Sequence, residues 1–262
     1  MVAWIELDGA VNARDLGGTP TTNGRPIRVH RLLRSDNLQS LSPSDIRRLV
    51  DDYEVRRVVD LRTHVEVRSE GDGPMLAEPA VRVSHLSLFP EPSDPVDVVE
   101  SDEGPIVLPW EEGANLFPER RSAEAVYIGF IDDRPDSVIQ SLRLIAQPGG
   151  ATLVHCAAGK DRTGVVVALA LSAVGVAHEG VVADYERSAE RIEAIVARLA
   201  DSRTYAHDMR RDDAARHRPS GTSMAGFLDL LDERFGGAEA WLRRHGWTDA
   251  DQKALRASLL ED

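Results

Sequence analysis

Cysteine occurs once in these 262 residues, at position 156. That lone thiol excludes an internal disulfide framework, a CxxC redox pair and any cysteine-rich zinc site, and it suits a reducing compartment. Lysine is almost as scarce, with two residues against 29 arginines among the 31 basic positions. Positive charge as a whole is short. The net of −13 removes nucleic acid and anionic membranes as bulk partners, because both require a basic face. A local basic site for one phosphate remains compatible with it. No uncharged run reaches the roughly twenty residues that cross a bilayer. The longest, 163–177, reads as a buried core helix, so no integral membrane segment is expected. The opening MVAWIELDGAVNARD lacks a basic segment followed by an apolar one, which predicts a cytoplasmic protein or one exported without a conventional signal peptide. Internal repeats and low-complexity tracts are missing too. The eight histidines show no metal-ligand spacing, and HEGVV at 178–182 is not HExxH, so no metal or other cofactor is expected.

What is present is enough apolar sequence, 42%, to bury a full core. Short strands are expected near Trp4 to Leu7 and Ile27 to Leu33. Ser42 and Pro43 then cap and open a helix to about Asp52. RRVVDL, Arg56 to Leu61, reads as a buried strand, and Val81 to Leu88 as another. Helical periodicity runs from about Ala123 to Gln147 with a break at Pro135, and Gly149 and Gly150 turn the chain into the strand ATLVH. A further helix begins around Thr163, and from His178 the pattern is helical to the end, interrupted at 216–223. This alternation predicts an α/β fold: a central, largely parallel sheet flanked by helices, in one domain over 1–262 with a helical C-terminal part over 178–262. Residues 91–119 hold nine acids, five prolines and neither Lys nor Arg, and read as a lid-like insertion. Residues 203–218 carry five arginines and three aspartates, and the two segments read either as attracting each other into a lid over the site or as two solvated surfaces that never meet.

Chemistry concentrates in VHCAAGKDRTG, 154–164, where the lone cysteine and one of the two lysines fall four positions apart. Five residues separate Cys156 from Arg162, between a strand and a helix. A loop of that size can curl its backbone N–H groups inward as an anion nest, and the helix N-terminus adds positive potential. A cysteine there is poised to attack as thiolate. Arg162 offers a planar fork for two phosphoryl oxygens. Gly159 permits close backbone approach, and Ala157, Ala158, Lys160 and Asp161 complete the nest. Thr163 is placed to set its hydroxyl near the sulfur or to cap the helix. His155, in the strand, faces away and is expected to orient the loop through backbone hydrogen bonds. A Walker loop would need Gly at 154 and Ser or Thr at 161, where this chain has Val154 and Asp161.

HCAAGKDRTG resembles the signature of cysteine-dependent protein tyrosine phosphatases, and its GKDR interior is similar to the bacterial PtpB type with tyrosine and lipid phosphatase character. NARDLGG at 12–18, VVDLRT at 58–63 and VVADYERS at 181–188 also resemble that family. Arg14, Asp15, Asp60 and Arg62 in these motifs read either as shaping the site or as internal ion pairs. Tyr185 reads as core packing, and Asn12, Gly17 and Gly18 as turn chemistry.

The resemblance implies a phosphomonoester hydrolase, with phosphotyrosine, dual-specificity and phosphoinositide variants open, acting through a cysteinyl-phosphate intermediate. Two acids remain open for the leaving group. Asp161 matches the aspartate of GKDR, and Glu91 in FPEP falls where many relatives carry an aspartate. Lys160, at the rim, is expected to meet a second phosphate or acidic group. Substrates are thus a phosphorylated protein or a phosphoinositide, with phosphate as product. A catalytically silent phosphate-binding module is the alternative.

Overall fold

The computed structural model describes residues 3–71, 73–90, 122–202, 204–206, 209 and 214–261. The expected lid at 91–119, Glu91 within it, and Arg203, Arg210 and Arg211 of the basic segment lie outside the described residues.

Six strands form one sheet in the order β1-β2-β3-β6-β4-β5. They are β1 (Ala3–Trp4), β2 (Arg14–Asp15), β3 (Leu32–Ser35), β4 (Val55–Asp60), β5 (Arg82–His85) and β6 (Ala151–His155). β3, β6, β4 and β5 pair in parallel, and β2 and β1 add an antiparallel edge. Parallel neighbours need long crossovers, and here helices supply them. α1 (Pro43–Arg47) joins β3 to β4, α2 (His64–Glu70) leads towards β5, and α3 (Ala123–Asp133) with α4 (Pro135–Ile145) precedes β6. Ser42 caps α1 through a reciprocal capping box with Asp45, and Pro43 holds its first position.

The central strands β3, β4 and β6 are buried on both faces, which explains the apolar runs of β4 and β6, whereas β1 and β5 at the sheet's edges are partly exposed. Leu32, Val59 and Val154 face one hydrophobic cluster with α5 (Asp161–Val174), while Leu33, Val58 and Leu153 face a second with Leu49, Val50 and Met75. α5 is buried along nearly its whole length. The later helices, α6 (His178–Glu186), α7 (Ile192–Asp201), α8 (Gly221–Phe235), α9 (Ala238–Arg244) and α10 (Asp249–Leu259), form the C-terminal part. α8 packs on α3 and α6, and α9 and α10 pack on α5.

Several boundaries differ from the sequence expectation. The Ile27 to Leu33 run enters the sheet only at Leu32, because His30 takes a φ of 53°, which breaks the extended backbone. Ile27 pairs instead with Leu260 in an isolated bridge. The first strand is two residues long, and Arg14–Asp15 joins the sheet although its charged sequence carries no strand pattern. α8 starts at Gly221, inside the expected 216–223 interruption.

Candidate active site

The parallel register sets Ser35 and Asp60 opposite His155, and His85 opposite Asp60, so four strand ends form one row. Carboxyl ends of parallel strands are where α/β sheets collect their sites. The chain leaves β6 at His155 into Cys156 and re-enters helix at Asp161, which puts the five intervening residues on that edge.

The loop's carbonyls are held outward. His155 Nδ1 lies 3.3 Å from Cys156 O, and Asn37 N donates to Ala157 O at 3.0 Å. Asn12 Nδ2 donates to Ala158 O at 2.9 Å, and Arg34 Nη2 to Gly159 O at 2.7 Å and Lys160 O at 3.2 Å. In a planar trans peptide the next N–H points opposite to the carbonyl. Five outward carbonyls therefore aim the amides of residues 157–161 inward, as an anion nest requires. Gly159 has φ 64°, and a Cβ there would stand 2.3 Å from Ser35 O, so only glycine fits.

Arg162 is buried in the first turn of α5, and its Nη1 and Nη2 donate to Glu66 Oε2 and Oε1 at 2.6 and 2.8 Å. Glu66 also accepts from Thr63 N at 2.7 Å and Tyr205 Oη at 2.6 Å. Burial alone pushes the Glu66 carboxyl up, but Arg162 and these donors hold it below its ordinary range. Burial likewise opposes the Arg162 charge, and Glu66 outweighs it, so the cation is retained. The Phe89 ring lies 5.7 Å from the Arg162 guanidinium carbon.

Cys156 and the loop line a cavity of about 600 Å³ whose other walls are mostly apolar, including Val126, Phe130, Ile192, Ile195 and Leu199. Asp161 reaches the same cavity, where its Oδ1 accepts a hydrogen bond from the Tyr127 hydroxyl. Tyr185 Oη lies 2.7 Å from Tyr127 Oη, so this residue of VVADYERS is more than core packing. Lys160 Nζ donates to His217 O at 2.7 Å and lies 3.5 Å from Asp161 Oδ2. Thr163 is wholly buried, and its Oγ1 bonds no partner among the described residues, neither the sulfur nor the helix end. His155 is buried beside Asp60, with Nε2 3.7 Å from Oδ2; burial pushes its pKa down to about 4, so it is neutral at pH 7.

Asp60 and Arg62 form a buried ion pair at 2.6 Å, and Arg14 and Arg34 share Asp184 at 2.8 and 2.5 Å. Burial, then the neighbouring Arg34, push Arg14 down to about 10 against the pull of Asp184. Asp15 bonds the Gly17 amide at 2.9 Å and so shapes its own turn. The ion-pair reading of these motifs thus describes their contacts, but Asn12 corrects its own: it braces the loop from 146 positions away. Sequence reasoning missed Glu66, Tyr205, Arg34 and Tyr127. The Thr63-x-x-Glu66 capping box carried a signal for α2 and its glutamate. No local pattern marks the others.

Among the described residues no helix is long and apolar enough to cross a membrane, and no group of His, Cys, Asp and Glu is arranged to hold a metal. A family model described as the tyrosine phosphatase family matches residues 5–261. The triple specificity protein phosphatase PtpB of Mycobacterium tuberculosis is 28% identical over 282 residues, which is 97% of this chain and 98% of that protein. A Cupriavidus necator protein, provisionally named a tyrosine-protein phosphatase, is 30% identical over 200 residues, 75% of this chain and 68% of its own. A tyrosine-protein phosphatase of Nostoc commune is 30% identical over 122 residues, 45% of this chain and 42% of its own. With a cysteine-headed nest backed by a fixed arginine and a family match across nearly its whole length, this chain belongs to the tyrosine phosphatase family and is a phosphatase acting on phosphorylated substrates.

Proposed function

We propose that Cys156 is the nucleophile of a two-step hydrolysis with phosphotyrosine proteins as principal substrates, and with phosphoserine, phosphothreonine and phosphoinositides also admitted. The carrying observation is the pairing of five outward-held carbonyls with an arginine clamped by Glu66, both at the one cysteine. Cys156 Sγ forms a bond to phosphorus while the ester P–O bond breaks. The loop amides and Arg162 stabilise the equatorial oxygens. Asp161, a carboxyl lining the same cavity as the cysteine, gives its proton to the departing oxygen. It then takes a proton from water as that water attacks phosphorus and the S–P bond returns its electron pair to sulfur.

Width of substrate follows from the cavity. Its apolar walls suit an aromatic ring, and its volume of about 600 Å³ exceeds what one phosphotyrosine fills. The relative named a triple specificity phosphatase supports the same breadth. Lys160, whose ammonium now sits on a backbone carbonyl, exchanges that partner for a second acidic group of the substrate.

The test is a Cys156→Ser variant used as a trap, side by side with phosphotyrosine peptides, phosphoserine or phosphothreonine peptides and phosphoinositide vesicles. Turnover is expected to vanish and capture to rank phosphotyrosine first. Retained turnover removes Cys156 as nucleophile, and capture of phosphoinositides alone overturns the substrate order.

A further inference from the structure

Two residues from outside the signature loop meet at its acid, Asp161. Tyr127 comes from α3, Tyr185 from α6, and Asp161 from the first turn of α5. Both tyrosines are buried in the main hydrophobic cluster, at 2% exposure, yet Tyr127 also lines the catalytic cavity and both hydroxyls reach Asp161. Tyr127 donates to Asp161 Oδ1, so its own proton is committed. The 2.7 Å contact between the two hydroxyls must then be donated by Tyr185. Tyr185 Oη also stands 3.5 Å from Asp161 Oδ1. The result is a directed chain, Tyr185 to Tyr127 to Asp161, ending on one carboxyl oxygen only. The other oxygen, Oδ2, has Lys160 Nζ at 3.5 Å.

A carboxylic acid carries one proton, and an oxygen that accepts a hydrogen bond is the poorer place for it. We propose that Tyr127, supported by Tyr185, is a positioning residue that assigns the catalytic proton to Asp161 Oδ2 and holds that oxygen towards the leaving group. The proposal rests on the reading of Asp161 as general acid. In the first step Oδ2–H gives its proton to the leaving oxygen as the P–O bond breaks, and the negative charge left on the carboxylate is shared with Tyr127 through the bond to Oδ1. In the second step the same Oδ2 takes the proton of the attacking water. Hydrogen-bond chains strengthen one another inside a protein, so Tyr185 makes Tyr127 the better donor. Burial and the Asp161 charge push Tyr127 well above the usual phenol range, so it stays a donor throughout catalysis.

A structural brace and a proton-positioning pair are told apart by the leaving group. A poor, alkyl leaving group needs the acid, and a good, nitrophenyl one hardly does. Tyr127→Phe is expected to lower kcat/KM, which reports only the step that expels the leaving group, on an alkyl phosphate by about 10- to 100-fold, the range for loss of one hydrogen bond to a charged group. On p-nitrophenyl phosphate kcat/KM should change less than about threefold, while hydrolysis of the shared cysteinyl-phosphate affects kcat on both alike. Tyr185→Phe, which leaves the Tyr127 to Asp161 bond in place, should show the same selectivity at smaller size. Equal proportional losses on the two substrates in both variants, or no loss in either, would overturn the assignment. Asp161→Asn, run in parallel, tests the underlying reading separately. If it is selective for the alkyl substrate while the tyrosine variants are not, the acid stands and the tyrosine role falls. If it is itself unselective, the acid reading fails and the tyrosine role with it.

Discussion

Arg162 can meet a phosphoryl group in a fixed direction only if its own side chain is already held, and the structure gives that task to Glu66. The carboxylate is fully buried, engages both terminal nitrogens, and is itself fixed by Thr63 N and Tyr205 Oη. A pair this deep stabilises little on its own account, because desolvation offsets most of the attraction, but removing one member strands the other. Glu66→Ala is therefore expected to cost about 3–5 kcal/mol of stability, the range for an uncompensated buried charge. Glu66→Gln keeps the volume but not the charge. It should remain folded while kcat/KM falls by about 100-fold, the scale on which a displaced catalytic group loses rate. Denaturant midpoints and steady-state kinetics with an aryl phosphate measure both. A Glu66→Gln enzyme with parental kinetics would show that Arg162 needs no holder.

The signature loop acts as an element rather than as a set of residues, and Gly159 shows why. Its φ of 64° is unfavourable for a side chain, and the added Cβ would strike the Ser35 carbonyl, which belongs to a strand and cannot yield. Gly159→Ala should thus reshape the nest, cutting kcat/KM by at least about 100-fold. Thermal unfolding should move only modestly, because α5 and β6 are anchored elsewhere by apolar packing. Parental kinetics in this variant would mean the loop carbonyls are not held as described. The same element explains what sequence reading could reach. Buried strands 55–60 and 151–155, the helix after the loop and the break at Pro135 were legible because apolar runs, β-branched residues and proline act locally. The cysteine, the arginine and the nest followed from spacing within one loop. Glu66, Tyr205 and Asn12 were not legible, since they reach their partners across 96, 139 and 146 positions and no short-range pattern encodes that meeting. Arg14–Asp15 was legible as buried charge but not as a strand: Arg14 pairs with Asp184 and Asp15 accepts from the Gly17 amide, while two adjacent charged residues carry no strand pattern.

At the scale of the whole molecule, a chain of net charge −13 encloses buried cations and carboxylates at the sheet's carboxyl edge, and this ties folding to pH. His155 sets the clearest window. Burial outweighs the attraction of Asp60 and lowers its pKa from 6.5 to about 4. Between those values the unfolded chain binds a proton that the folded one refuses, so stability rises with pH there and is lost on acidification. A separation of this size is worth about 3 kcal/mol at 1.36 kcal/mol per pH unit. Asp60, Asp184 and Glu66 have folded values below their ordinary ones, so their contributions are present above the unfolded carboxylate range and disappear only as pH falls through and below it. Asp36, raised by burial, works in the opposite sense, since its folded form takes up the proton first. Subtraction separates these groups. Urea unfolding of the parent and of His155→Gln at pH 6.5, 5.5 and 4.5 should give a parental stability that falls more steeply, the two curves diverging by an amount approaching about 3 kcal/mol. Salt should leave that difference nearly unchanged, because a pair buried this deeply is poorly screened. Parallel curves across the window would mean that His155 titrates in the folded protein as it does in the open chain, and the neutral, loop-orienting imidazole at the Cys156 carbonyl would have to be abandoned.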